Sequence, residues 1–179
     1  IVRSLGVTSV VRSCHQVLSC LELERPLRSK GVEVTTMAKD DRQNRPPNPA
    51  DHETEVESVT EVHSSAALRE IAISAGLGLT GADYAIAETG SVVLAARQGV
   101  SRIVSLVPPV HIAVVKRGSV LPGLDELFTL MRRDYGNEDL ASYVNIISGP
   151  SRSADIEYTL VTGVHGPAET HMILLNDGN

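Results

Sequence analysis

The chain has 179 residues, 42% of them apolar, and a formal net charge of −6, which suits a single domain with a sizeable core. With one Phe, four Tyr, no Trp and no basic stripe, it lacks both the charge and the stacking rings of a nucleic-acid surface. No apolar run approaches the ~20 residues of a membrane span, and a cytoplasmic protein is expected.

Residues 1–39 read as an N-terminal helix and a strand. Val17, Leu18 and Leu21 fall on one helical face, Pro26 interrupts the pattern, and Val32-Glu33-Val34 alternates as a strand does. The chain starts at Ile1, which fits a native N-terminus lying upstream, and shows neither a secretory signal nor a transit peptide. Cys14 and Cys20 have the spacing of neither a redox pair nor a metal knuckle and read as small core residues. Residues 40–60 are charged and carry Pro46, Pro47 and Pro49, the composition of a polar loop. The motif-bearing core is expected over 64–177. It opens with a helix capped by Ser64 or Ser65, with Leu68, Ile71 and Ala72 inward and Gly76 as its stop. Apolar stretches from Leu77 to Ala96 are punctuated by Thr80-Gly81, Asp83 and Glu88-Thr89-Gly90. Ile103–Leu106 and His111–Val115 are short β-branched runs split by Pro108 and Pro109, and Leu121–Arg133 has a helical face. Tyr143–Ile147 reads as a strand, Gly149–Arg152 as a turn opening a helix through Leu160, and Met172–Leu175 as a last strand. Strands alternating with helices predict an α/β fold whose mostly parallel sheet is covered on both faces.

Three segments hold polar residues that a core pattern leaves unexplained. In the first, Thr80-Gly81-Ala82-Asp83 is followed by Ala87-Glu88-Thr89-Gly90-Ser91, with Glu88 among apolar neighbours; E-T-G-S also suits a hairpin turn with Gly90 at positive φ. In the second, Pro108-Pro109 rigidify the chain before His111, a candidate for acid–base work and equally a structural histidine. The third pairs Ser148-Gly149-Pro150-Ser151-Arg152, continuing to Asp155, with Gly163-Val164-His165-Gly166-Pro167. A helix opening at that turn would aim free N–H groups at an anion that Arg152 could grip with two hydrogen bonds, with Asp155 in the first helical turn. Ligands of open α/β sheets bind beyond the carboxyl ends of the strands. One crevice gathering Glu88, Arg152 and His165 would suit a small carboxylic or phosphorylated metabolite. The six histidines include no pair at a metal-ligand spacing such as H-E-x-x-H.

TGADYAIAETGSVVL, SLVPPVHIAVV and ISGPSRSADIEYTLVTGVHGPAETHMILL resemble the LUD domain family of lactate-utilization proteins, specifically its lactate-utilization protein C group, over roughly Leu77 to Leu175. The stretch before Leu77 is shorter than the family leads one to expect, and the proline-rich loop departs from its pattern. The resemblance implies a three-layer α/β/α sandwich similar to the sugar-phosphate isomerase, glucosamine-phosphate deaminase and CoA-transferase group. It also implies a part in oxidising L-lactate to pyruvate beside iron–sulfur subunits. A cluster normally needs four thiolates, and this chain has two cysteines, so the clusters are expected in partner subunits and no cofactor in this chain.

The leading expectation is a lactate-utilization component that binds a small carboxylate through Arg152 and the N–H groups after Gly149. The first alternative is an autonomous CoA-transferase- or isomerase-like enzyme. Glu88-Thr89-Gly90 is similar to the E-N-G motif of CoA-transferases, with Glu88 as nucleophile or base and His111 or His165 as proton carrier. The second is a non-catalytic assembly subunit. A homodimer is the default oligomer.

Overall fold

A computed structural model describes residues 2, 4–37, 65–95, 102–134, 143–154 and 160–176. Its centre is a five-stranded sheet of β1 (Ser9–Ser13), β2 (Glu33–Met37), β3 (Leu77–Gly81), β6 (Val110–Lys116) and β11 (Glu169–Leu175), in the order β11-β6-β3-β1-β2. Every neighbouring pair in it is parallel. Their side chains alternate between two faces. Val10, Val34, Leu77, Leu79, Ile112 and Val114 face α1 (Gln16–Ser19) and α2 (Glu24–Arg28), packing with Val17, Leu18 and Leu27. On the opposite face Val11 and Met37 pack with Ala72 of α3 (Ser65–Ser74), with Ala75 just after it, and with Val104 of α4 (Ile103–Leu106). The expected α/β fold with a mostly parallel sheet between helices is what the chain adopts.

A second sheet shares the α3/α4 face. It comprises β4 (Tyr84–Ile86), β5 (Ser91–Ala95), β7 (Val120–Leu121) and β8 (Val144–Ile147), in the order β7-β4-β5-β8. Ala85, Val92 and Leu94 pack against Ala113 and Val115 of β6, and α5 (Leu124–Asp134) covers the sheet's other side through Leu127. The chain passes between the sheets in two residues: Ala82 N–H bonds to Val114 O of β6 at 2.8 Å, and Asp83 N–H to Val93 O of β5 at 3.0 Å.

Three local expectations change. Ser9–Ser13 is a central strand that precedes the first helix. Ile103–Leu106 is a helical turn, because the following Pro108 and Pro109 end it and only then does β6 begin. The turn at Gly149–Arg152 opens no helix: Arg152–Ala154 is β9, antiparallel to β10 (Leu160–Thr162), so no helix dipole acts at Arg152. The 40–60 loop lies outside the described residues. Among the described residues no helix is long and apolar enough to cross a membrane.

The α4 helix reaches the sheet only because residue 78 has no side chain. A Cβ on Gly78 would overlap the Val104 carbonyl oxygen and meet Pro108 Cγ at 3.2 Å. Gly78→Ala is therefore expected to cost about 1–3 kcal/mol in urea unfolding. Gly118→Ala, where an added Cβ meets nothing within 4 Å, is the control expected to stay within about 0.5 kcal/mol of the parent.

Candidate functional site

The β4–β5 hairpin separates two polar regions. At its closed end, Ala87–Gly90 forms the turn, with Gly90 at φ 66° as E-T-G-S leads one to expect. A hydroxyl chain runs from Thr89 Oγ1 to Ser91 Oγ and on to Ser148 Oγ, each step 2.7 Å. Ser151 ties the next loop in: its Oγ accepts from His165 N–H at 3.2 Å, and its N–H donates to Pro167 O at 2.8 Å. The structure thus joins Thr89, Ser91 and Ser148, and joins Ser151 to His165, with Gly149 between the two groups. The exposed Glu88 carboxylate lies instead against Gly123 at the start of α5, where Glu126 Oε2 accepts the Gly123 N–H at 3.0 Å. Arg152 is exposed on β9 and Asp155 lies outside the described residues. The 163–168 loop precedes β11 and is bonded to Pro109 before β6, so this region lies toward the amino ends of those strands.

His111 does not join that loop cluster. It is 1% exposed, and its Nε2 lies 2.8 Å from the hydroxyl of Thr80, itself 3% exposed. Burial lowers the His111 pKa to about 4, so the ring is neutral at physiological pH.

The open end of the hairpin meets the carboxyl ends of β1 and β3. The connection after β1 runs outward to β2, and the one after β2 returns to the other side of β1 as β3. The gap between β1 and β3 is therefore the sheet's topological switch point, where side chains from two diverging connections can enclose a ligand. His15 follows β1 and Asp83 follows β3, with His15 Nε2 3.6 Å from Asp83 Oδ1. Their side chains are 14% and 8% exposed. His15 caps α1, its Nδ1 accepting the Val17 N–H at 3.3 Å, which leaves the neutral ring's proton on Nε2, facing Asp83. Asp83 Oδ2 accepts the Ala95 N–H at 2.8 Å, so both carboxylate oxygens have fixed directions. The His15 side chain lies against Gly81: a Cβ there would collide with its Nδ1, Cγ and Cβ.

Thr80, Ser105 and Asn145 contribute polar groups to the crevice, and Arg102 and Tyr143 form its outer wall. The guanidinium of Arg102 stands 5.5 Å from the Tyr143 ring centroid. Burial raises the Tyr143 pKa, opposed by the charge and a backbone hydrogen bond of Arg102. The enclosed space is about 10 Å³, roughly the room of one water. Among the described residues no group of three or more His, Cys, Asp or Glu could hold a metal ion.

His15 is absent from the constellation expected from sequence, and Asp83, though within the first polar segment, was given no role there. The available signal was positional: each follows a strand by one or two residues, with Gly81 at the end of β3. Reading Ser9–Ser13 as a strand is what exposes it.

A parallel sheet with a crevice at its switch point, and a second sheet closing one side, defines an α/β domain. Residues 9–175 match the LUD domain, and the chain belongs to that family. It is 43% identical over 111 residues to "Lactate utilization protein C" of Halalkalibacterium halodurans, covering 62% of this chain and 48% of that protein. The protein of the same name from Bacillus subtilis is 40% identical over 104 residues, covering 58% of this chain and 43% of the relative. The chain thus spans about half the length of the curated relatives it matches. A solved DUF162 family protein from Deinococcus radiodurans is similar at a TM-score of 0.43 and 18% identity, covering 97% of this chain and 90% of that one.

The buried His111 carries a pH signature. Above about pH 6.5 the ring is neutral folded and unfolded alike. Between 6.5 and about 4 the unfolded ring binds a proton that the folded ring does not, so stability falls as pH falls through that window. The expected loss is on the order of 3 kcal/mol, and His111→Gln should flatten that part of the stability–pH curve measured by urea unfolding.

Proposed function

We propose that this chain serves lactate utilization by binding a small 2-hydroxy or 2-oxo carboxylate in the crevice at the carboxyl ends of β1 and β3. The observation that carries the reading is the fixed pair His15–Asp83, 3.6 Å apart at the switch point, with the Arg102 guanidinium on the crevice wall. The names of its relatives supply the metabolic context. Arg102 would bind the carboxylate of the ligand. Thr80, Ser105 and Asn145 would meet its remaining oxygen, and His15–Asp83 would hold or accept a proton. Because Arg102 is exposed, that side chain can swing outward to admit a three-carbon acid into a space that now holds about one water.

Oxidising L-lactate to pyruvate removes two electrons and two protons. Two cysteines cannot hold a four-thiolate cluster, so the electrons would pass to iron–sulfur partner subunits. This chain would supply the site. Its His15 Nδ1 is engaged by the Val17 N–H, so the ring must release that cap bond before it can take a substrate proton.

Calorimetric titration with L-lactate and pyruvate tests the reading. Arg102→Ala and His15→Ala are each expected to weaken binding by about tenfold or more, the effect of losing one charge-assisted hydrogen bond. Unchanged affinity in both variants would sink the crevice assignment. Weakening by Arg152→Ala instead would move the anion to the β9 loop. Binding of CoA compounds abolished by Glu88→Gln would favour the transferase reading.

A further inference from the structure

The face of the main sheet beneath α4 and the second sheet is built from small and apolar residues: Val11, Gly78, Ala113 and Val115, packed with Val104 and Ala82. Thr80 and His111 interrupt it, as does Ser13 near the carboxyl end of β1. Valine and leucine could fill such positions without the cost of taking a hydroxyl and an imidazole out of water, so the polar pair needs a reason beyond packing. Thr80 supplies one, because it is buried, bonded to His111 and also a wall of the crevice.

A threonine hydroxyl has one proton to donate and two sites to accept. His111 Nε2, 2.8 Å away, occupies one of these, and burial keeps the ring neutral with a single N–H. The tautomer of His111 therefore decides what Thr80 presents to the crevice. If Nε2 is unprotonated, Thr80 donates to it and offers only lone pairs, which suit a ligand hydroxyl. If Nε2 carries the proton, Thr80 keeps a free hydrogen and a free lone pair and can serve a ligand carbonyl or hydroxyl alike.

Resting on the carboxylate reading above, we infer that Thr80 is the specificity-determining contact for the oxygen on the second carbon of the bound acid. His111 is its positioning residue, acting only through Thr80. The pair makes the crevice distinguish a 2-hydroxy acid from its 2-oxo partner.

The experiment is calorimetry with L-lactate and pyruvate on the parent chain, Thr80→Val, Thr80→Ser and His111→Leu, with ¹⁵N NMR of the His111 tautomer. The parent is expected to prefer one acid by about tenfold or more. That acid should be lactate, with Nε2 unprotonated, because a protonated Nε2 would leave Thr80 both a proton and a lone pair that serve either acid. Thr80→Val, which keeps the side-chain shape, should bring the ratio to within about twofold of one, and Thr80→Ser should retain the preference. His111→Leu should lose it, provided its melting transition shows that it folds. Arg102→Ala should weaken both acids while leaving their ratio unchanged. An unaltered ratio in Thr80→Val, equal affinities or a pyruvate preference in the parent, or a protonated Nε2 overturns the inference. A parent that binds neither acid, or Arg102→Ala and His15→Ala variants that both bind the acids as before, overturn the carboxylate reading and this inference with it.

Discussion

The molecule turns on the two-residue passage Ala82–Asp83. There the chain leaves the parallel sheet with one backbone hydrogen bond to β6 and enters the second sheet with the next, to β5. A longer connection would let the two sheets shift against each other. This one sets where Ala85, Val92 and Leu94 land on Ala113 and Val115. The same residue that makes the passage supplies the carboxylate of the site, its Oδ2 held by Ala95 and its Oδ1 facing His15. Scaffold and site share one anchor, which is how a crevice can keep a side-chain geometry that loops alone hold less well.

Small residues determine how closely the other parts approach. Gly78 admits the backbone of α4, and Gly81 admits the ring of His15. Both lie on β3, the strand flanked by β1 and β6. The cleft is narrow because of these contacts, and its polar groups are largely dry. In such surroundings an ion pair or hydroxyl interacts more strongly than in water and costs more if left unpaired. Arg12 shows the other side of that balance: its Nε is buried without a hydrogen-bond partner, while NH1 reaches the partly exposed Glu24 at 3.4 Å.

Alternating strands and helices were legible because period-2 and period-3.6 patterns are local. The Ser65 helix, the Met172–Leu175 strand and the Gly90 turn follow from residues within a few positions of each other. Ser9–Ser13 was not legible as an interior strand of the sheet. Nearly every residue of that strand is covered, so it lacks the alternation that marks a half-exposed strand. The segment after Gly149 failed for a related reason. Arg152–Ala154 becomes a strand by pairing with Leu160–Thr162, a partner beyond the range of any helical window.

By itself the sequence determined the α/β class and the LUD motifs, since both are written in local order and composition. It also limited what this chain can hold, because two cysteines are two thiolates in any fold. Tertiary structure alone decided which polar residues meet. His15 and Asp83 are far apart in the chain and come together because parallel strands β1 and β3 are neighbours and end at the same edge. Glu88 and His111, nearer in sequence to Asp83, are directed elsewhere, one by a hairpin turn and the other by burial against Thr80. Strand order is a global property of the sheet, and it places the crevice.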